Sequence, residues 1–208
     1  MLKTKSIIFS YKNAPELHFP DIALASGEDL LVLGNSGVGK TTFIQILAGL
    51  LQPNSGTVEI NGQNIQKLSP PQLDLFRGRQ IGMVFQKPHF VSNLSLSDNL
   101  LLSLFLAKQK QDKKQVKNIL EKIGLGHKLH KKPDTLSQGE QQRAAIALAV
   151  IKNPDLILAD EPTSSLDDHN CNLITTLLKE QATATNAQLI IITHDQRLKS
   201  QFKKSILL

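Results

Sequence analysis

The sequence predicts an α/β domain in which helices alternate with the strands of a largely parallel sheet. Three observations support this fold class. Short apolar runs typical of buried strands recur along the 208-residue chain and alternate with segments of helical character. One of these runs leads directly into a glycine-rich turn. A segment of different character, residues 86–136, interrupts the alternation with two predicted helices.

The N-terminal part is predicted to be antiparallel β structure. Residues 5–9 and 17–19 are expected to form a short β pair, with Tyr11 in the turn between them. Residues 57–60 predict a further strand, because they are rich in β-forming residues and precede Asn61-Gly62, a dipeptide typical of tight hairpin turns.

The later elements are expected to alternate as in a parallel α/β unit. Ser137, with Glu140 three residues later, has the pattern of a capping box at a helix start. We expect one domain over residues 1–208, with a core of 1–85 and 137–208 and a helical subdomain of about 86–136. Strands are predicted over 81–85, 155–160, 188–193 and 205–208, and helices over 72–76, 94–108, 113–123, 137–150 and 167–181.

The most informative stretch is a phosphate-binding loop that follows the buried apolar run 30–33 and leads into a helix. Its glycines let the backbone approach a ligand, so that successive N–H groups and the helix N-terminus can bind an anion. Lys40 would bring positive charge to the outer phosphates, and the hydroxyl of Thr41 is placed to ligate Mg²⁺. The stretch consists of Gly34, Asn35, Ser36, Gly37, Val38, Gly39, Lys40, Thr41 and Thr42.

Polar side chains follow three further predicted strands. In a phosphate-loop protein an acid at the end of a neighbouring strand holds Mg²⁺, which suits Asp160, and Glu161 can then polarise an attacking water. His194 follows the strand 188–193 and could contact a γ-phosphate, while Gln86 follows another strand. His194 and Gln86 are weak signals on their own, because a polar residue after a strand is commonly a plain surface residue.

Together these positions resemble those of the ABC ATPase family. Residues 136–143, Leu-Ser-Gln-Gly-Glu-Gln-Gln-Arg, are similar to the family signature and stand shortly before Asp160, as in that family. The resemblance covers essentially the whole chain. It implies a P-loop NTPase core of the RecA-like type with an N-terminal antiparallel β part and an inserted α-helical subdomain. It also implies ATP hydrolysis with Mg²⁺.

The same resemblance implies roles for individual residues. Tyr11 would stack on the adenine ring of ATP. Gln86 would sense Mg²⁺ and water, and His194 would be the switch histidine. Residues 164–167, Ser-Ser-Leu-Asp, would form the D-loop.

In this family two nucleotide-binding subunits pair head to tail. The resemblance therefore implies that Ser137 and Gly139 act on ATP held by the phosphate loop of a second copy. The chain departs from the usual signature at Gln138, where glycine is usual, so that a bulkier side chain would lie near the partner's phosphate. Whether Gln138 slows turnover stays open at the level of sequence.

Residues 158–163, Leu-Ala-Asp-Glu-Pro-Thr, are similar to the subunits that drive lipoprotein release, macrolide export and the division-linked septal complex. This resemblance implies a subunit that dimerises on ATP and drives a transmembrane permease. The alternative is a soluble ABC ATPase of the DNA-repair or translation type, although such proteins usually carry a long coiled coil or two fused cassettes. A small-molecule kinase or GTPase is a further alternative, but the chain lacks the guanine-reading Asn-Lys-x-Asp motif.

Composition indicates a globular protein of the cytoplasm. Hydrophobic residues make up 40% and charged residues 20% of the chain, as in ordinary globular domains. No apolar run approaches the ~18 to 20 residues that span a bilayer. The single cysteine, Cys171, suits a reducing compartment. We expect a location at the inner face of the cell membrane, beside the permease.

Positive charge is concentrated between Lys108 and Lys132. This stretch has nine lysines against Asp112 and Glu121, a net charge of +7, whereas the other residues carry 15 basic and 16 acidic groups, for a total of +6. The stretch is either a solvated helix face or a surface for anionic lipid headgroups or an acidic partner. Nucleic acid is not expected as a partner, because no aromatic residue among these lysines could stack on bases.

Overall fold

The computed structural model describes residues 1–164 and 166–208, and in these ranges the chain forms ten strands and six α-helices. The strands are β1 (Leu2–Phe9), β2 (Leu17–His18), β3 (Ala23–Leu24), β4 (Asp29–Leu33), β5 (Ser55–Ile60), β6 (Gln63–Asn64), β7 (Ile81–Val84), β8 (Leu156–Asp160), β9 (Gln188–Thr193) and β10 (Ser205–Leu207). The helices are α1 (Lys40–Leu47), α2 (Pro70–Gln80), α3 (Leu96–Leu106), α4 (Lys113–Lys122), α5 (Gln138–Val150) and α6 (Asp168–Thr185).

The N-terminal strands form the predicted antiparallel sheet, in the order β2-β1-β5-β6, with β3 also paired to β1. The β5–β6 hairpin turns at Asn61 and Gly62, whose φ angles of 51° and 79° lie in the left-handed region. Asparagine and glycine tolerate this region best, so the dipeptide fixes the turn. The two-residue strands β3 and β6 were not predicted.

The second sheet is parallel, in the order β10-β4-β9-β8-β7. All residues of β8 and β9 are buried, as expected for strands covered on both faces. Side chains alternate along β4, so that Leu31 and Leu33 join one core cluster while Leu30 and Val32 join the other. The first cluster contains α3 to α6, and the second contains α1 and the antiparallel sheet.

The segment between β7 and α5 is helical, as predicted. The Ser95 hydroxyl caps α3 by accepting from Asp98 N, and the Asp112 carboxylate caps α4 by accepting from Lys114 N. The division into a core and a helical subdomain of about 86–136 stays a prediction. Among the described residues, no helix combines the length and apolar composition that crossing a bilayer requires.

Candidate functional site

The phosphate-binding loop joins the end of β4 to the first turn of α1. Gly37 and Gly39 have φ angles of 85° and 98°, which disfavour residues with a side chain. A Cβ on Gly39 would also lie 3.1 Å from Leu17 Cδ1. Gly39 is the N-cap of α1 and has no side chain with which to cap it. The N–H groups of the first turn are therefore left for an anionic ligand.

Lys40 is held inside this loop and is only 7% exposed. Its Nζ donates hydrogen bonds to the carbonyl oxygens of Gly34, at 2.8 Å, and Asn35, at 2.9 Å. The same Nζ lies 3.5 Å from Glu161 Oε1. The ammonium group thus stands between the loop and an acidic side chain, where phosphate oxygens can replace its carbonyl partners.

Asp160 ends β8 beneath the loop. Burial raises the pKa of its carboxyl group, and a hydrogen bond with the side chain of Thr41 opposes that effect. Its Oδ1 is buried and, among the described residues, has no hydrogen-bond partner. A buried carboxylate oxygen with spare coordination capacity, beside a hydroxyl, is a donor set that fits Mg²⁺. The described residues contain no cluster of three or more acidic, His or Cys side chains that could hold a metal alone.

Residues at the end of β9 hold the Glu161 carboxylate in place by hydrogen bonds. Its Oε2 accepts a hydrogen bond from Thr193 Oγ1 at 2.8 Å, and its Oε1 lies 2.9 Å from His194 Nδ1. The backbone N–H of His194 also donates to Oε1, at 3.2 Å. The histidine side chain is 57% exposed, so its second ring nitrogen is available to a ligand. The pair therefore combines a fixed carboxylate with an accessible imidazole.

These groups line an open cleft of about 720 Å³, within the size range of ligand pockets. The lining residues are Asn35, Ser36, Gly37, Gly39, Lys40, Thr41, Thr42, Gln86, Glu161, His194 and Gln196. Most of the predicted site residues are thus brought together. Gly34 and Val38 belong to the loop but are not among the lining residues, and Asp160 reaches the site through Thr41.

Tyr11 lies beside the cleft rather than in its lining. Its hydroxyl is 3.0 Å from Thr42 Oγ1, its ring meets Phe9 edge to face, and the residue is 49% exposed. A ring in this position is accessible to a flat ligand group. Gln86, which lines the cleft, donates from Nε2 to Ser164 Oγ at 3.4 Å.

Ser137 and Gly139 are not among the residues that line the cleft with Lys40. The predicted capping box is present, because Ser137 Oγ accepts from Glu140 N and Glu140 Oε2 accepts from Ser137 N. Lys128 Nζ donates to Glu140 Oε1 at 2.6 Å and is the main reason why the pKa of Glu140 falls to about 2. Ser137 and Gly139 therefore lie outside the cleft, whereas Gln138, the first residue of α5, lines a neighbouring pocket that shares Gln86 and Glu161 with it.

Part of the predicted D-loop, Ser165, lies outside the described residues. Asp167 caps α6 by accepting a hydrogen bond from Asn170 N at 2.8 Å. Sequence reasoning missed Gln196, which lines the cleft, and Thr193, which holds Glu161. The available signal was their position, since Thr193 ends β9 and Gln196 follows His194 by two residues.

Four features together define an ATPase of the phosphate-loop class. They are the phosphate-binding loop, the buried Asp160, the fixed carboxylate of Glu161 and the accessible His194. The family model described as ABC transporter matches residues 17–164, and this chain therefore belongs to the ABC transporter family. The predicted fold class and the predicted class of protein, a transport-coupled ATPase, are thereby confirmed.

Curated relatives of similar length agree with this assignment. The chain is 36% identical to the lipoprotein-releasing system ATP-binding protein LolD of Legionella pneumophila, over 90% of this chain and 84% of that protein. It is 34% identical to LolD of Pseudomonas syringae, over 98% of this chain and 92% of that protein.

A solved structure shares the fold. The dimeric post-hydrolysis state of the ATP-binding cassette MJ0796, bound to ADP and Pi, superimposes with a TM-score of 0.90 at 30% identity. The match covers 100% of this chain and 94% of that one. The roles of individual residues in this chain stay predictions, and they are taken up as proposals below.

Proposed function

We propose that this chain is the ATP-hydrolysing subunit of a lipoprotein-release type ABC transporter, working as a head-to-tail dimer on a membrane permease. The observation that carries the proposal is the Glu161 carboxylate. It is fixed by Thr193 and His194 and lies 3.5 Å from Lys40 at the mouth of the phosphate loop. The LolD relatives support the transport type.

The nucleotide would bind along the phosphate loop. Backbone N–H groups at the start of α1 and the Lys40 ammonium would bind the β- and γ-phosphates. Tyr11, exposed beside Thr42, would stack on the adenine ring. Binding then exchanges the loop carbonyl partners of Lys40 for phosphate oxygens, which are stronger acceptors because they are charged.

Thr41, Asp160 and Gln86 would hold Mg²⁺. The Oδ1 of Asp160 is buried and has no hydrogen-bond partner in the part of the chain that the structure describes. This supports the assignment, because the ion would compensate an otherwise costly buried carboxylate. When bound, Mg²⁺ neutralises charge on the phosphate oxygens.

Hydrolysis would depend mainly on positioning and charge neutralisation. Glu161 would orient the attacking water with a carboxylate whose direction is set by Thr193 and His194. His194 would contact the γ-phosphate through the ring nitrogen that Glu161 does not use. Gln86, which lines the cleft, would sense the bound Mg²⁺ and water.

A second copy would complete the site. Ser137 and Gly139 are not in the lining of their own chain's cleft, and both stand at the start of α5, whose N-terminal dipole favours anions. Head-to-tail pairing would bring this helix start to the γ-phosphate held by the partner. The dimeric cassette structures of relatives support this arrangement. The exposed Gln138 would then lie near that phosphate.

The permease is proposed to dock beside Gln86 and the helical segment. A groove of about 630 Å³ lies there between α2, α3 and the end of β7. Its lining is largely apolar and includes Met83, Phe85 and Leu106. Burial of Lys152 at the same groove lowers the pKa of its ammonium group to about 8. Docking on a permease would place the chain at the cytoplasmic face of the membrane.

The lysines between Lys108 and Lys132 are proposed to contact anionic headgroups. Most of them are exposed, and the Lys117–Glu121 pair on α4 is a surface contact that contributes little energy. Replacing Lys113, Lys117 and Lys122 with glutamine should weaken binding to vesicles that contain anionic lipid. The control variant replaces the exposed Lys67, Lys199 and Lys203 instead. Equal binding by both variants would contradict the proposal.

The catalytic assignment is tested with Glu161→Gln, which keeps the side-chain shape but removes the charge. We expect loss of ATP hydrolysis and an ATP-bound dimer that persists in size-exclusion chromatography with light scattering. Glu180→Gln, on the exposed face of α6, should hydrolyse ATP at the parent rate and is the control. Hydrolysis at the parent rate by Glu161→Gln would remove Glu161 from this role.

Co-purification separates the transport function from a soluble ABC ATPase. The tagged chain, extracted from membranes in mild detergent, should retain an integral membrane protein that mass spectrometry identifies as a permease. Recovery of a ribosomal or DNA-repair assembly instead would favour the alternative.

A further inference from the structure

Arg197 makes a bidentate contact with an acid beside the proposed hydrolysis site. It lies in the 3-10 turn Gln196–Gln201, which follows His194. Its Nε donates to Asp195 Oδ1 at 2.9 Å, and its Nη2 donates to Asp195 Oδ2 at 2.7 Å. The backbone N–H of Arg197 adds a third hydrogen bond to Oδ1, at 3.0 Å. The turn after His194 is therefore tightly closed.

The same guanidinium group reaches across to the start of α6. Its Nη1 donates to Asp168 Oδ1, and its Nη2 donates to the carbonyl oxygen of Leu166 at 3.3 Å. Both acceptors belong to the segment that runs from Glu161 into α6. One side chain thus joins the two chain segments that leave the site, and only a planar group with several donors can satisfy all these acceptors.

Asp195 extends this contact to Glu161. Its Oδ2 accepts from Thr163 Oγ1 at 3.1 Å, two residues after Glu161. Its backbone N–H donates to Thr193 Oγ1 at 3.0 Å, and that hydroxyl donates to Glu161 Oε2 at 2.8 Å. A continuous set of hydrogen bonds therefore links Arg197 to the carboxylate proposed to orient water.

The charges of Asp195 and Arg197 and the backbone conformation of Glu161 indicate that losing these contacts would be costly. Asp195 is buried, and its hydrogen bonds with Arg197 lower the pKa of its carboxyl group to about 2. Removing one partner of such a pair leaves the other charge uncompensated. Glu161 also has a φ of 48°, a conformation that a residue with a side chain keeps only when its surroundings hold it.

We propose that Arg197 is a positioning residue for ATP hydrolysis, which keeps Glu161 and His194 in contact through Asp195 and ties them to the start of α6. This inference rests on the proposed function, because it takes Glu161 as the group that orients water. Arg197 is not among the residues that line the cleft, so it acts on the reaction through its neighbours.

The test compares steady-state hydrolysis by the purified chain and its variants. A misplacement of about 1 Å can cost on the order of a hundredfold in rate. Arg197→Gln should lower kcat by about tenfold, a smaller loss, because Thr193 still holds Glu161. KM for ATP should stay within about twofold, because the phosphate loop is untouched. Arg197→Lys, which keeps the charge but loses the planar fork, should have an intermediate kcat.

Arg79→Gln is the matched control. Arg79 also donates from its guanidinium group to a backbone carbonyl, that of Ala107 at 2.9 Å, but its contacts are to the end of α3 and not to the residues around Glu161. Its loss should leave kcat at the parent value once the rates are corrected for the folded fraction, which circular dichroism measures.

Two results would overturn the inference. One is a parent kcat in Arg197→Gln, and the other is a loss that the folded fraction fully accounts for. Glu161→Gln in the same assay separates the two levels of the argument. If it is inactive while Arg197→Gln retains the parent kcat, only the role of Arg197 fails. If it hydrolyses ATP at the parent rate, the proposed function fails, and the role of Arg197 fails with it.

Discussion

Replacing Thr193 with valine removes a single hydroxyl from the base of the site while nearly preserving the side-chain shape. Thr193 is fully buried. Its Oγ1 donates to Glu161 Oε2 at 2.8 Å and accepts from Asp195 N at 3.0 Å. The substitution therefore takes one donor from a carboxylate and leaves a buried N–H without its acceptor.

The expected cost follows from these two contacts. A hydrogen bond to a charged group contributes about 1.5 to 3 kcal/mol, and an unpaired buried donor costs about 1 to 3 kcal/mol. We take the lower ends, because His194 and Lys40 still contact Glu161. The free energy of unfolding should fall by about 2.5 kcal/mol. A less constrained Glu161 should also lower kcat by roughly tenfold.

Urea unfolding and steady-state hydrolysis measure these two effects. Thr175→Val is the control, because Thr175 is also fully buried but its hydroxyl donates only to Cys171 O, at 2.9 Å, within α6. It should lose about 1 kcal/mol and keep the parent kcat. A Thr193→Val variant that loses no more stability than Thr175→Val, or that retains the parent kcat, would refute the role of Thr193 in holding Glu161.

Three further predictions concern pH, turn geometry and the metal site. The pKa of Asp195 is about 2, below the ~3.9 of an ordinary aspartate, so its ionisation should stabilise the protein by roughly 2 kcal/mol above about pH 4. That stability is lost as the pH falls toward 2, and urea unfolding of Asp195→Asn should show a weaker dependence over this range. Gly56→Ala should be more destabilising than Gly62→Ala in thermal unfolding. Both glycines have positive φ, but a Cβ on Gly56 would lie 2.4 Å from Ser6 O, whereas a Cβ on Gly62 meets open space. Asp160→Asn should raise the thermal unfolding midpoint without nucleotide, because burial raises the pKa of Asp160 and the ionised group is destabilising at neutral pH. The same variant should lose Mg²⁺-dependent hydrolysis, because it removes a proposed carboxylate ligand of the ion.

The sequence was sufficient where a local pattern determines structure. The buried strands β8 and β9 follow from continuous apolar runs, and the start of α5 follows from its capping box. Helix α2 was predicted to end near residue 76 but continues to Gln80, passing through Gly78. A Cβ on Gly78 would lie 3.5 Å from Ala107 Cα, an ordinary van der Waals contact, so packing does not require glycine here. The helix continues through Gly78 although glycine has a low helix propensity.

The site shows the same division between local and tertiary information. The phosphate-binding loop and the acids Asp160 and Glu161 were predictable because they stand at the ends of strands. Parallel strands end at the same edge of a sheet, so these groups were expected to lie close together. The contacts that fix Glu161 were not predictable, because they depend on β8 lying beside β9 with Asp160 opposite Ile192. Only this register brings Thr193 and His194 to Glu161, and the hydrogen bonds of Arg197 depend on the same juxtaposition.

Mixing two inactive variants tests whether two copies of the chain complete each ATP site, as proposed. Lys40→Ala disables the phosphate loop, and Ser137→Arg blocks the start of α5. In a head-to-tail heterodimer, one site carries both defects and the other carries none. Neither variant alone should hydrolyse ATP, and an equal mixture should recover about a quarter of the parent rate, because half of the dimers contain one intact site of two. A mixture as inactive as its components would contradict the account.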